Sequence, residues 1–136
     1  MKAKNLSFYK KKCDTLYSRV IRLRYAKKGI AKCVTCGKKD HYKKLQAGHY
    51  IPRNYLSLRF DDRNVHVQCV GCNMFKSGAM DEYARFMVKT YGSEILDELA
   101  VLKNKKVKFS IFDYQEMIDK YSDELIGLEM KNGCTS

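Results

Sequence analysis

Two Cys-x-x-Cys pairs, Cys33/Cys36 and Cys69/Cys72, stand near the middle of a 136-residue chain with 32 residues between them. Each turn can present two thiols to one metal, and four thiolates in a tetrahedron suit zinc while leaving no coordination position open. Such a zinc is structural, and it ties together two turns that are distant in sequence. Redox or unrelated buried cysteines are the alternative, but paired knuckles at this spacing are a specific pattern. Cys13 and Cys134 lie outside it: Cys13 falls on the apolar side of a helical stretch, where packing explains it, and Cys134 sits in a tail.

At this length the chain has one modest core, so residues 1–136 are expected to form one domain. A zinc site explains how so small a core stays folded, since metal binding free energy becomes folding free energy. Around the cysteines, the spacing of Cys13, Leu16, Tyr17, Val20, Ile21 and Leu23 predicts a basic amphipathic helix over 8–28, with Gly29 as its stop. The segments "KKLQAGHYI" and "NVHVQC" alternate as two strands of a hairpin, joined by a long basic loop from Pro52 to Arg63. "CVGCNMFKSG" is a second thiol turn running into a helix that ends at Gly78. Further helices are predicted over 81–91, 94–104 and 111–130, with Ser93 and Ser110 as N-caps of the last two. The zinc-bound core thus covers 33–92 and a helical extension 93–130.

Charge narrows the partner. The net charge is +12, and residues 1–32 hold 11 Lys/Arg against a single acid, whereas the segment after residue 92 is acidic. A basic front end is most simply explained by a polyanion, because neutralising phosphates releases counterions and drives binding; nucleic acid is the leading candidate, and a merely solvated basic face is the bland alternative. No apolar segment follows the lysine-rich start before charges resume, and no window reaches the length of a membrane span, so neither a secretory leader nor a membrane location is expected. The expected location is the cytoplasm, where six cysteines point to metal rather than disulfides.

Inside the cysteine frame lie His49, Asn64 and Asn73, on strand, strand and helix, with Asn73 directly after the last thiol. This order resembles the His-Asn-His/Asn (HNH) nuclease superfamily, whose hairpin and helix grip one divalent metal. A histidine with a pKa near neutrality can take a proton from water, and a metal can polarise the phosphate. Singly, a lone histidine is more often a packing residue and an asparagine more often a cap. The joint pattern inside four cysteines is far more specific.

"LYSRVIRLRYAKKGIAKCVTCGKKD", "LQAGHYIPR", "LRFDDRNVHVQCVGCNMFKSG" and "DEYARFMVKTYG" together resemble the phage recombination endonuclease family NinG, also called Rap, from about Leu16 to Gly92. The resemblance implies an α+β fold: a small zinc-stapled ββα-metal core, HNH-like and of treble-clef type, with flanking helices. It implies a structure-selective endonuclease cutting branched DNA such as Holliday junctions and displacement loops, encoded by a bacteriophage and acting in the host cytoplasm, with phage or host recombination proteins as further partners. The layout is also similar to phage endonuclease VII. Carried over, this supports Cys33, Cys36, Cys69 and Cys72 for zinc, His49 as general base and Asn73 for magnesium or manganese, with Asn64 either orienting His49 or pinning the loop. The family's "RLRDA" reads "RLRYA" here, with Tyr25 in place of an aspartate outside the proposed site.

Gly48 stands where most HNH nucleases supply a metal ligand. Strand alternation puts His66 on the same face as Asn64, making it the first candidate replacement ligand; hydrogen bonding behind the site or a phosphate contact are its other roles. Arg53, Arg59, Arg63, Lys76, Arg19, Arg22 and Arg24 are the residues expected to grip DNA, by phosphate contacts that read shape rather than sequence. The apolar faces of the C-terminal helices would either pair two copies into a homodimer suited to a symmetric junction or close the monomer's core. Two rival functions remain: a non-catalytic zinc module that binds DNA or a recombination protein, and a sequence-specific nicking or restriction nuclease.

Overall fold

The first helix is fixed at its start by Asn5, whose side chain accepts the Phe8 N–H at 3.0 Å, and it runs as α1 over Leu6–Arg24. The computed structural model describes residues 3–134. Cys13, Tyr17, Val20 and Ile21 form the buried stripe of α1 at helical spacing. The helix stops short of the expected Lys28 because Lys27 and Ile30 pair backbone to backbone across a two-residue turn. Lys28 and Gly29 both take positive φ there, 52° and 80°, the conformation that tight hairpin turns demand.

That turn opens a small hairpin the sequence did not suggest, β1 (Ile30–Lys32) and β2 (Lys39–His41), with the first cysteine pair in the loop between them. The expected hairpin follows as β3 (Leu45–His49) and β4 (Val65–Cys69), antiparallel, with Gly48 opposite His66 and His49 opposite Val65. Val65 and Val67 face the main core under α1, while His66 and Gln68 on the other face of β4, and Asn64 just before it, are buried as well. A single helical turn, α2 (Leu56–Arg59), breaks the long loop between the strands.

After β4 the chain makes a π-helical turn, Gly71–Phe75, and then α3 (Met80–Tyr91) begins beyond Gly78 and ends at Gly92. Helix α4 (Ile95–Lys103) is entered from Glu94 without a side-chain cap, so Ser93 does not play the capping part expected of it. Helix α5 (Ile111–Lys131) does start as expected: Ser110 and Asp113 exchange hydrogen bonds of 3.1 and 2.8 Å.

Two cores result. Leu58, Tyr83, Met87, Ile95 and Leu99 join α2, α3 and α4. The larger core packs α5, through Tyr114, Ile118, Tyr121 and Leu125, onto α1 and the β3–β4 hairpin. Of the two roles weighed for the C-terminal helices, these contacts close the monomer. Phe112, on the first turn of α5, is exposed. Cys13 is buried as expected, its thiol 3.6 Å from the Tyr114 carbonyl, and Cys134 packs against this core rather than trailing away from it.

Candidate metal centre and active site

Four thiols converge where the two hairpins meet. Cys33 follows β1, Cys36 lies in the β1–β2 loop, Cys69 ends β4 and Cys72 sits in the π-helical turn; their sulfurs all lie within 4.8 Å of one another. Cys36 Sγ and Cys69 Sγ are 3.7 Å apart, close to the edge of roughly 3.8 Å expected for a tetrahedron with zinc–sulfur bonds of about 2.3 Å. Burial opposes ionisation of Cys33, but the Thr35 hydroxyl and neighbouring backbone N–H groups outweigh it and bring that thiol down to about 6. An all-thiolate cluster that is already closed can hold a zinc ion and has no position for a substrate.

A second constellation lies on the far side of β3. His49, at the end of that strand, and Asn73, on the π-helical turn, line one cavity of about 570 Å³ together with Asp14, Tyr50, Arg53 and Met80. His49 Nε2 is 3.0 Å from the carbonyl oxygen of Arg59. A carbonyl can only accept, so Nε2 carries the proton and Nδ1 carries the lone pair. Nδ1 has no hydrogen-bond partner among the described residues. Burial lowers the pKa of this ring, which keeps it neutral and able to take a proton. The long loop therefore does more than join two strands: it delivers the Arg59 carbonyl that fixes the tautomer.

Asn73 donates from Nδ2 to Gln46 Oε1 at 2.8 Å, which leaves its own Oδ1 as the unengaged oxygen. Gln46 escaped the sequence reading, although it shares a strand face with Gly48 and lies three residues before His49. The carboxylate in the cavity lining is that of Asp14, held by Arg59. Oxygen donors of this kind suit a hard divalent cation, which commonly takes few protein ligands and fills its shell with water and phosphate.

Asn64 is fully buried and pins the loop. Its Oδ1 accepts the Ile51 N–H at 2.8 Å, and its Nδ2 donates to the carbonyls of Ile51 and Leu58. Of its two expected roles this is the loop-pinning one, and it makes no hydrogen bond to His49. His66 is not brought to His49 and Asn73. Tyr83 donates its hydroxyl to the Gly48 carbonyl at 2.7 Å, so the Tyr83 oxygen accepts from His66 Nδ1 at 3.0 Å, while His66 Nε2 accepts from the Tyr91 hydroxyl at 2.7 Å. Both ring nitrogens are thus occupied, burial pushes the ring down to about 4, and the residue lines a different cavity. The expectation that His66 replaces the missing ligand gives way to a neutral structural histidine; the tyrosines that hold it come from α3, which no local sequence signal connects to β4.

Gly48 is explained by its neighbour rather than by the metal. A Cβ at this position would come within 1.9 Å of Gln68 Oε1 and 2.7 Å of Gln68 Cδ. The Gln68 amide cannot easily swing away, because its Nε2 is bonded to the Gly78 carbonyl and the Thr35 hydroxyl. Gly48→Ala should therefore destabilise the fold by about 1–3 kcal/mol through overpacking, read from denaturant midpoints. Most of that loss should vanish in a Gln68→Ala background; equal losses in both backgrounds would disprove the clash.

The seven basic residues expected to grip DNA divide. Arg59 is buried, forms a two-pronged ion pair with Asp14 and donates to the Arg53 carbonyl. Arg24 bridges Asp62 and Glu124 at 3.1 and 2.9 Å, Arg22 donates to the carbonyls of Ser18 and Tyr42, and Arg63 pairs with Asp61 and Glu98. These four are engaged in holding the fold together. Arg53, Lys76 and Arg19 are exposed and form no side-chain hydrogen bond or ion pair among the described residues. His41 is half-buried and caps the turn after β2, its Nδ1 accepting from the Lys43 N–H.

The fold and its sites define a small α+β protein with a four-thiol cluster that could hold a metal ion beside a histidine–asparagine cleft. Comparison with known families places it further: the family described as Bacteriophage Lambda NinG protein matches residues 1–131, and the chain belongs to that family. Relatives include the ninG proteins of Escherichia phage 933W, 33% identical over 94 residues, and of Escherichia phage lambda, 32% identical over 94 residues; each alignment covers 68% of this chain and 46% or 45% of the relative. The ninG protein of Salmonella phage P22 is 38% identical over 68 residues, which are 49% of this chain and 33% of the relative. The chain thus spans less than half the length of the curated relatives it matches. No solved structure matches. No helix among the described residues is long and apolar enough to cross a membrane.

Proposed function

We propose that this protein is a divalent-metal-dependent endonuclease that hydrolyses phosphodiesters in branched DNA. The observation that carries the reading is the state of His49: a neutral ring with Nε2–H spent on a carbonyl and Nδ1 free at a cavity shared with Asn73. A half-buried histidine held in one tautomer with an open lone pair is a ready general base. His49 Nδ1 would take the proton from the attacking water, while the Arg59 carbonyl stabilises the imidazolium that forms. Asn73 Oδ1, oriented by Gln46, would hold magnesium or manganese, which when bound polarises the phosphate and neutralises charge on the leaving oxygen. Arg53 and Lys76 would meet the flanking phosphates, and Arg19 would extend that contact along α1.

The basic charge and membership of a phage protein family support a nucleic-acid substrate; the preference for branched DNA rests on the family resemblance, and products with a 5′ phosphate and a 3′ hydroxyl follow from the HNH superfamily resemblance only. The non-catalytic rival draws on one observation, that Gln68 fills the space beside Gly48 and leaves no room for a ligand from that position. Incubating the protein with a synthetic four-way junction and a matched linear duplex, with and without magnesium, separates the readings. Magnesium-dependent cutting of the junction alone is expected. No cutting of either substrate would sink the nuclease reading, and equal cutting of both would sink structure selectivity.

A further inference from the structure

Beside the cleft the chain holds an apolar tip out into water. Phe75 is 83% exposed, the highest value for any large apolar side chain among the described residues, and Met74 next to it is 61% exposed. Most of the molecule's aromatic side chains are at least partly buried, and Tyr83, Tyr114 and Tyr17 are almost wholly so.

The tip is not loose. It closes the π-helical turn that follows the thiol centre, and the turn is locked by backbone hydrogen bonds from Lys76 N to the Gly71 carbonyl, Gly78 N to the Cys72 carbonyl and Ala79 N to the Lys76 carbonyl, at 2.8–2.9 Å. Ser77 and Ala79 are both held at φ 49°, a left-handed conformation that non-glycine residues adopt only when their surroundings impose it. Met74 is also fastened, its sulfur 3.5 Å from Gln46 Nε2. A rigid support presents an aromatic ring two residues beyond Asn73, with the exposed cation of Lys76 immediately after it.

A surface that combines cations with a projecting aromatic and a methionine matches a polyanion that has apolar faces to offer. In an intact duplex the base faces are covered by their neighbours. At a branch point the stacking is broken, and an apolar side chain can enter between base steps, as Phe and Met wedges do in proteins that kink DNA.

We infer that Phe75, supported by Met74, is a wedge that stacks on the open base step at a DNA branch point and so selects branched over linear DNA. This rests on the proposed nuclease reading for the placement of DNA across the cleft, but it concerns binding rather than cleavage. Protein and substrate commit to one arrangement: the branch point over the π-helical turn, with the scissile strand passing Asn73 and His49.

The test is binding in buffer without magnesium or manganese and without chelator, where no cleavage is expected and the thiol centre is left intact, to a four-way junction carrying 2-aminopurine beside the branch and to a matched linear duplex. The unaltered protein should bind the junction more tightly and change the 2-aminopurine fluorescence. Phe75→Ala should weaken junction binding by roughly 5- to 150-fold, the value of stacking one base, leave duplex binding within about twofold and abolish the fluorescence change; Phe75→Trp should restore both. Because the side chain is exposed, the variant should keep its circular dichroism spectrum and metal content. Unchanged junction preference in a folded Phe75→Ala protein overturns the wedge, and a fall in sedimenting mass in that variant would assign the tip to contact between copies instead. If the protein cuts DNA but Phe75→Ala keeps its preference, the wedge alone fails; if it cuts nothing but binds junctions through Phe75, the nuclease reading alone fails.

Discussion

Stripping the metal with a chelator, or replacing Cys69 by serine, is expected to unfold the centre of this protein rather than merely loosen it. The thiol centre is where the β1–β2 loop, the end of β4 and the π-helical turn are joined. A structural zinc contributes about 10–16 kcal/mol of binding free energy, while a domain of this size has about 5–15 kcal/mol of stability in total. Loss of the ion therefore exceeds what the two cores can sustain. Expected readouts are one zinc per chain by elemental analysis, loss of the near-ultraviolet circular dichroism signal after chelation, and its return on adding zinc. A Cys69→Ser protein that melts at the temperature of the unaltered one would show that the cluster is not what holds the fold.

His49→Ala carries the second large effect. If Nδ1 is the general base, its removal should lower the cleavage rate about 10²- to 10⁴-fold while leaving junction binding and melting temperature nearly intact, since the side chain lies at the end of β3 and makes a single hydrogen bond. The pH dependence has a definite sign. Burial lowers the pKa of His49 below the ordinary histidine value, so the base form persists into mildly acidic solution. The rate should hold as pH falls past 6.5 and decline only below the lowered pKa. A variant that still cuts at full rate would remove His49 from the mechanism, and a rate already falling well above neutrality would point to a different base.

How much of this was legible in advance depends on how local the cause is. The thiol quartet, the β3–β4 hairpin and the Ser110 cap each follow from short-range patterns, and the structure has them where those patterns put them. Helix α1 ends before Lys28 because a two-residue turn at Lys28–Gly29 outcompetes continued helix, a local backbone pairing of Lys27 with Ile30 that helical periodicity does not reveal. The ligand expectation for His66 failed for a similar reason: strand alternation gave the correct face, but that face is covered by Tyr83 and Tyr91 from α3. Arginines were the hardest to sort. Arg53 and Arg59 look alike in sequence, yet one is exposed and the other is locked to Asp14, 45 residues away. Gln46 and Gln68 are silent in the sequence because uncharged amides carry no signal until their partners, Asn73 and Gly48, are known.

The packing of α5 against α1 sets an order of events during synthesis. Cys13 meets the Tyr114 carbonyl and Arg24 meets Glu124 across about a hundred residues of chain, whereas the cysteines that gather the hairpins are complete once Cys72 has been made. The middle gathered by the four thiols can therefore assemble on the ribosome while the apolar stripe of α1, covered on one side by the β3–β4 hairpin, still waits on the other for a helix not yet translated. Contacts this far apart in sequence form late and slowly, so α1 is made before its partner α5 and is fully buried only after it, and the nascent chain is most prone to stick to its neighbours in that interval.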